Sequence, residues 1–124
     1  MSQVNWNILV SYAFSSDSIL LTDMDGQSVD KTIYRGETDT ITFKPSSGVH
    51  HIDSISITSP NPLPAGVSVS QVKSGRDLIV TDIDSLASDA SAVDVVYCLH
   101  FIDSDGNRVA SDPKLINMPI LRPT

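Results

Sequence analysis

From Val4 to Phe14 the even positions are Val4, Trp6, Ile8, Val10, Tyr12 and Phe14, and the odd positions are Asn5, Asn7, Leu9, Ser11 and Ala13. Successive side chains of a strand point to opposite faces, so this alternation predicts a half-buried β-strand. Ser15-Ser16-Asp17-Ser18 breaks it, Ile19-Leu20-Leu21 reads as a second short strand, and Asp23-Met24-Asp25-Gly26 supplies a turn. Val29 to Tyr34 and Thr38 to Phe43 flank Arg35-Gly36-Glu37 as a hairpin candidate, whose second arm exposes Thr38, Thr40 and Thr42 and buries Ile41 and Phe43. His51 to Ile57 places Ile55 and Ile57 on one face. Pro60, Pro62 and Pro64 then force a loop, because proline removes ladder donors. Val67 to Val72 pairs with Asp77 to Thr81 across Lys73-Ser74-Gly75-Arg76 as another hairpin.

The densest apolar stretch, Val93 to Ile102, stops at Asp103-Ser104-Asp105-Gly106-Asn107. It reads as the buried central strand of an antiparallel sheet followed by a tight turn, with Asn107 to Ala110 returning beside it. Asp112-Pro113 kinks the chain before Leu115 to Met118 adds an edge segment, and Asp82 to Ala90 is the one stretch that suits a helical turn. Eight or nine short strands without βαβ alternation predict an all-β fold: a two-sheet antiparallel β-sandwich of immunoglobulin-like architecture. It forms one domain over residues 1–124, with a short tail at 119–124. A true immunoglobulin domain is not expected. The Tyr97-Cys98 spacing is one residue short, Cys98 has no partner cysteine, and Trp6 stands in the first strand.

Composition narrows the function classes. The 124 residues include 40% hydrophobic and 19% charged residues, which is the balance of an ordered globular chain. Net charge is −7, and all but Glu37 of the fifteen acids are aspartate, a turn-favouring residue, so the acids are expected to mark loops. The eight Lys and Arg are scattered and form no basic stripe, which argues against nucleic acid and anionic membranes as partners. Cys98 is the single cysteine, so no internal disulfide is expected. Met1 to Asn7 lacks a signal-peptide pattern, and no apolar run approaches the roughly 20 residues of a membrane span, which predicts a cytoplasmic protein.

Three constellations are candidates for chemistry. The two Asp-x-Asp-Gly units and Asp82-Ile83-Asp84 offer Asp23, Asp25, Asp82, Asp84, Asp103 and Asp105 as hard oxygen ligands for Ca²⁺, provided their loops converge. Asp-Gly is equally a hairpin turn, and neither unit continues as an EF loop. Cys98 and His100 share one strand face, and a zinc site there needs His50 or His51 beside them; a satisfied core pair is the simpler expectation. The same two residues are the candidates for a hydrolase, although a thiol in so apolar a segment is normally inert packing. No G-x-S-x-G elbow, P-loop or dinucleotide fingerprint occurs. Gln71 and the Thr38/Thr40/Thr42 stripe make a polar sheet face of the ordinary solvated kind, with few aromatics to spare for a sugar platform.

Asp103-x-Asp105-Gly106 followed by Ser111-Asp112-Pro113-Lys114-Leu115-Ile116-Asn117-Met118-Pro119 resembles the DP-EP family of small uncharacterised bacterial proteins, whose ends carry a D-P-x-I-x-N-x-P-like signature. Tyr34-Arg35-Gly36-Glu37 leading into Thr40-Ile41-Thr42-Phe43 is similar to that family's early hairpin, while Met118 replaces an acidic residue of the pattern. A fainter likeness is to inclusion-body proteins of the PixA/AidA type. The resemblance implies no catalytic residues; Asp112-Pro113 would be a rigid turn and Asn117 a backbone bond-maker at a sheet edge. The expectation is a non-catalytic structural or interaction module without a cofactor. It would associate with protein, above all with its own kind as a homo-oligomer, through an edge strand such as Leu115 to Leu121 or an apolar sheet face. Ca²⁺-assisted recognition or adhesion through the six aspartates, with carbohydrate among its ligands, is the competing class.

Overall fold

The computed structural model describes residues 2–111 and 113–123. Its strands are β1 (Ser2–Ala13), β2 (Ser18–Asp23), β3 (Lys31–Ile33), β4 (Glu37–Pro45), β5 (Val49–Ser59), β6 (Val67–Ser74), β7 (Asp77–Asp84), β8 (Val93–Asp103), β9 (Arg108–Ser111) and β10 (Lys114–Asn117). One sheet has the order β2-β1-β4-β7-β6; the other has the order β3-β10-β8-β5, with β9 also paired to β8. The two pack face to face as an all-β sandwich. Among the described residues there is no helix, so none is long and apolar enough to cross a membrane. The expected helical turn is absent because β7 runs on through Asp84, and the segment after it is loop.

Three expectations of pairing are corrected. Both sheets are mixed: β1 runs parallel to β4 with Trp6 opposite Ile41, and β10 runs parallel to β3 with Ile116 opposite Thr32. The Val29 to Phe43 hairpin does not form, since β3 and β4 belong to different sheets. Its turn is held by other segments: Arg35 N–H donates to the Ile120 carbonyl and Gly36 N–H to the Asp84 carbonyl, each at 2.7 Å. Finally, β10 is not an edge, because β8 flanks it on one side and β3 on the other. Asp112, expected at the kink, lies outside the described residues.

Alternation builds the core. Ile8, Val10, Ile41, Phe43, Leu78 and Val80 project from the first sheet onto Ile33, Ile52, Val95, Tyr97, Leu99, Phe101 and Leu115 of the second, all essentially buried. Each such side chain contributes about 1.5–3 kcal/mol on leaving water. In β8 only one parity is buried, so Val96, Cys98, His100 and Ile102 sit half-exposed on the outer face.

The free edge of β5 is closed by two residues from the opposite sheet. The Gln71 amide accepts from Ile55 N–H at 2.8 Å and donates to the Ile55 carbonyl at 2.9 Å, standing in for a neighbouring strand. The Arg76 guanidinium donates to the His50 carbonyl at 2.5 Å, and its own carbonyl accepts from Ile52 N–H at 2.9 Å. Gln71→Ala should therefore cost about 1–2 kcal/mol, one net hydrogen bond being worth ~1 kcal/mol. Urea unfolding together with faster hydrogen exchange at the Ile55 amide checks this.

Candidate functional site

Both Asp-x-Asp-Gly units fold into the same turn. The first carboxylate bends back to accept two backbone N–H groups, from Asp25 (2.7 Å) and Gln27 (3.4 Å) at Asp23, and from Asp105 and Asn107 (both 2.9 Å) at Asp103. Gly26 and Gly106 adopt the positive φ that each turn needs, 76° and 86°. Only the second unit joins a hairpin, that of β8 and β9; the chain after the first crosses to the other sheet.

The six candidate calcium ligands are not brought together. Asp23 ion-pairs with the buried Lys31 ammonium, whereas Asp103 lies at the far end of β8, ten residues beyond Val93, the partner of Asn117 in β10. Asp82 bonds to Asn117, so about 30 Å of strand separates it from Asp103 at 3.3 Å per residue. Asp25 and Asp105 are exposed at their separate turns. Among the described residues no group of three His, Cys, Asp or Glu side chains converges to hold a metal ion. His50 and His51 contact each other at 2.7 Å, while His100 contacts Ser56 Oγ at 3.0 Å.

Acids do not simply mark loops. Glu37 and Asp39 continue the inward parity of Ile41 and Phe43 on β4, and Asp82 and Asp84 continue that of Leu78 and Val80 on β7. Asp39 stands directly opposite Asp82 across the β4–β7 ladder, so four carboxyls occupy one inner patch near the end of the sandwich. Asp39, Asp82, Asp84 and the facing Asn117 are fully buried.

Their hydrogen bonds are incomplete. One Asp39 oxygen accepts from the Trp6 indole N–H at 3.1 Å, one Asp82 oxygen from the Asn117 amide at 2.8 Å, and one Asp84 oxygen from the Leu86 N–H at 3.0 Å. The other oxygen of each, and the Asn117 carbonyl oxygen, is buried without a hydrogen-bond partner among the described residues. Burial pushes Asp39 up to about 6; the Glu37 charge adds to this, and the Trp6 bond and Arg122 charge oppose it. Burial, with the Asp84 and Asp39 charges, pushes Asp82 up to about 7 against the Asn117 bond. Asp84 is raised as well, chiefly by burial. Burial also lifts Glu37, but the Arg122 guanidinium and the Tyr34 N–H outweigh it and hold that carboxyl below its ordinary value.

Above this patch lies a polar cleft of about 180 Å³ walled by Trp6, Lys31, Tyr34 and Arg122. The Lys31 ammonium sits 4.1 Å from the Trp6 ring centroid, and the Arg122 guanidinium 4.7 Å from that of Tyr34. Arg122 also grips Glu37 through two nitrogens, at 2.5 and 2.9 Å, and Arg35 Nε donates to the Pro119 carbonyl at 3.0 Å. The chain after β10 is thus strapped over the carboxyls. Sequence reading missed Trp6, Glu37, Asp39 and Arg122 as a unit, although the parity of Ile41 and Phe43 carried back two and four residues points to both acids. Asn117 is a buried partner of Asp82, not a bond-maker at an edge.

A second feature lies at the opposite end of β1. β2 has no strand on its outer side, Leu20 is 62% and Phe14 45% exposed, and an apolar hollow of about 300 Å³ runs between Tyr12, Ala13, Leu20 and Ser47. The Phe14 ring stands edge-on to Tyr12 at 5.0 Å. A scan against protein-family models found no match to the chain, and a search of curated proteins found none either.

Proposed function

We propose that this protein is a non-catalytic interaction module that self-associates by pairing the β2 edge of one copy with that of another. The observation that carries this reading is the bare β2 edge, six residues without proline or lysine, beside the exposed Leu20. An uncapped apolar edge is a template for a further strand. The other edge strands are short, covered or charged: β3 has three residues, β9 has four and begins on Arg108, β5 is closed by Gln71 and Arg76, and β6 ends on Lys73-Ser74. Two β2 strands meeting antiparallel about a two-fold axis would extend the first sheet across both copies.

The absence of catalysis in this reading rests on the histidine chemistry. Arg108 Nε donates to His100 Nδ1 at 3.4 Å, which leaves the proton of a neutral ring on Nε2, facing Ser56 Oγ. In that tautomer the ring donates to Ser56 instead of taking its proton, and a cation stands where a triad holds a carboxylate. Membership of the DP-EP family belongs to the same proposal, with Pro113 and Asn117 in packing roles.

Sedimentation equilibrium tests the association. The wild type is expected to dimerise at sub-millimolar concentration, and Leu20→Lys, an exposed substitution, to weaken the dimer at least tenfold, or about 1.4 kcal/mol. A wild type that stays monomeric, or a dimer indifferent to Leu20→Lys, overturns the reading.

A further inference from the structure

We propose that the Asp39, Asp82 and Asp84 carboxyls, beside the Glu37–Arg122 ion pair, form a proton-operated latch, which holds the strap at residues 118–123 and the Trp6 wall of the cleft shut when protonated and loosens them when ionised. The geometry leaves few alternatives. Three carboxyl oxygens and one amide oxygen are buried as acceptors without donors, and like charges stand directly opposite at Asp39 and Asp82. Among the described residues no three His, Cys, Asp or Glu side chains are grouped so as to hold a metal ion. A proton can relieve them: on Asp39 it is shared with Glu37, and on Asp82 it turns an orphaned acceptor into a donor.

Every packed element contributes to the balance. β1 presents the Trp6 N–H, β4 Glu37 and Asp39, β7 Asp82 and Asp84, and β10 Asn117. Burial keeps the Tyr97 hydroxyl of β8 neutral, where it feels the charges of Asp82 and of Asp30 ahead of β3, and the Lys31 ammonium lies over the Trp6 ring. The inner positions of β5 and β6 nearest the patch, Ile55, Ile57, Val67 and Val69, are uncharged. The cations are Arg35, and Arg122 in the strap itself, already engaged by Glu37. When Asp39 and Asp82 both ionise, Arg122 is left to answer several buried negative charges, and the favourable response is to admit water by lifting the strap.

Carboxyls whose folded values are raised to about 6 and about 7 stabilise the closed protein at mildly acid pH, and that stability is lost as pH rises through those values. Trp6 is the single tryptophan and bonds Asp39 directly, so its emission reports the latch. Between about pH 5 and pH 8 we expect a sigmoidal change in Trp6 emission with far-ultraviolet circular dichroism unchanged, and a thermal midpoint that falls between about pH 4, near the unfolded carboxyl pKa, and about pH 7 and is level above it. Asp39→Asn/Asp82→Asn mimics the protonated state and should flatten both curves while retaining His50, His51 and His100. Wild-type emission that is flat over this window overturns the proposal, as does a wild-type midpoint that does not fall. So does a transition that survives in the double variant, which would assign it to the histidines. If the double variant does not fold, the two wild-type curves and Asp39→Asn alone decide.

Discussion

Lys31→Met is expected to lose about 3–5 kcal/mol of stability, the usual cost of stripping one partner from a buried ion pair. Lys31 and Asp23 are both almost fully buried, and the ammonium lies directly on the carboxylate while covering Trp6. Burial drives Asp23 up, but Lys31 and the Asp25 and Gln27 N–H groups outweigh it and hold the carboxyl below its ordinary value. That lowered value stabilises the protein above the unfolded pKa near 3.9 and is lost as pH falls through the folded one. In Lys31→Met the pull of the cation disappears, so the deficit should be largest at neutral pH and shrink in acid. Asp23→Asn/Lys31→Met removes both charges yet keeps an oxygen for the Asp25 and Gln27 N–H groups, and should recover most of the loss. Urea unfolding at neutral and acid pH compares these two variants with the wild type. A double variant as weak as Lys31→Met would show that packing against Trp6, and not the stranded charge, sets the cost.

Gly48→Ala should be comparably damaging for a different reason. A Cβ there would stand 1.9 Å from the Tyr12 carbonyl oxygen, and the residue holds a φ of +79°. Neither problem has a soft solution, because the obstacle is backbone fixed by the Tyr12 N–H bond to the Ser47 carbonyl (2.8 Å) and the Ser104 N–H bond to the Gly48 carbonyl (3.1 Å). The left-handed conformation costs an alanine roughly 1–2 kcal/mol and overpacking typically a further 1–3 kcal/mol. A fall in melting midpoint of about 8–20 °C follows at roughly 4 °C per kcal/mol for a domain of this size. Gly75→Ala is the control: φ is +62° but nothing lies within 4 Å of the new methyl, so only the conformational part should be lost.

The candidate site was partly legible. Alternation placed β1, β6 and β7 correctly because it reports which side chains leave water, a local property of each strand. Followed through Asp39 and Glu37, the same alternation contained the buried acids. Asp39 falls inside the Thr38 to Phe43 arm, but the acids as a group are expected in loops because aspartate prefers turns, a preference that strand pairing on both sides of β4 and β7 overrides. Arg122 gave no local signal at all, since its grip on Glu37 spans 85 residues of chain.

Sequence alone determined the all-β class, the parities of β1, β4 and β6, the two aspartate-capped turns and the proline loop, because each depends on a residue and its near neighbours; β8, apolar at both parities, is buried on one only. Tertiary structure alone decided the neighbours: β1 parallel to β4, β3 and β4 in separate sheets, β10 enclosed and β2 left bare. The physical reason is that burial of a face is satisfied equally by any partner of matching pattern. Which strand supplies it is settled by the packing of all ten together, and that packing put four carboxyls in one dry place.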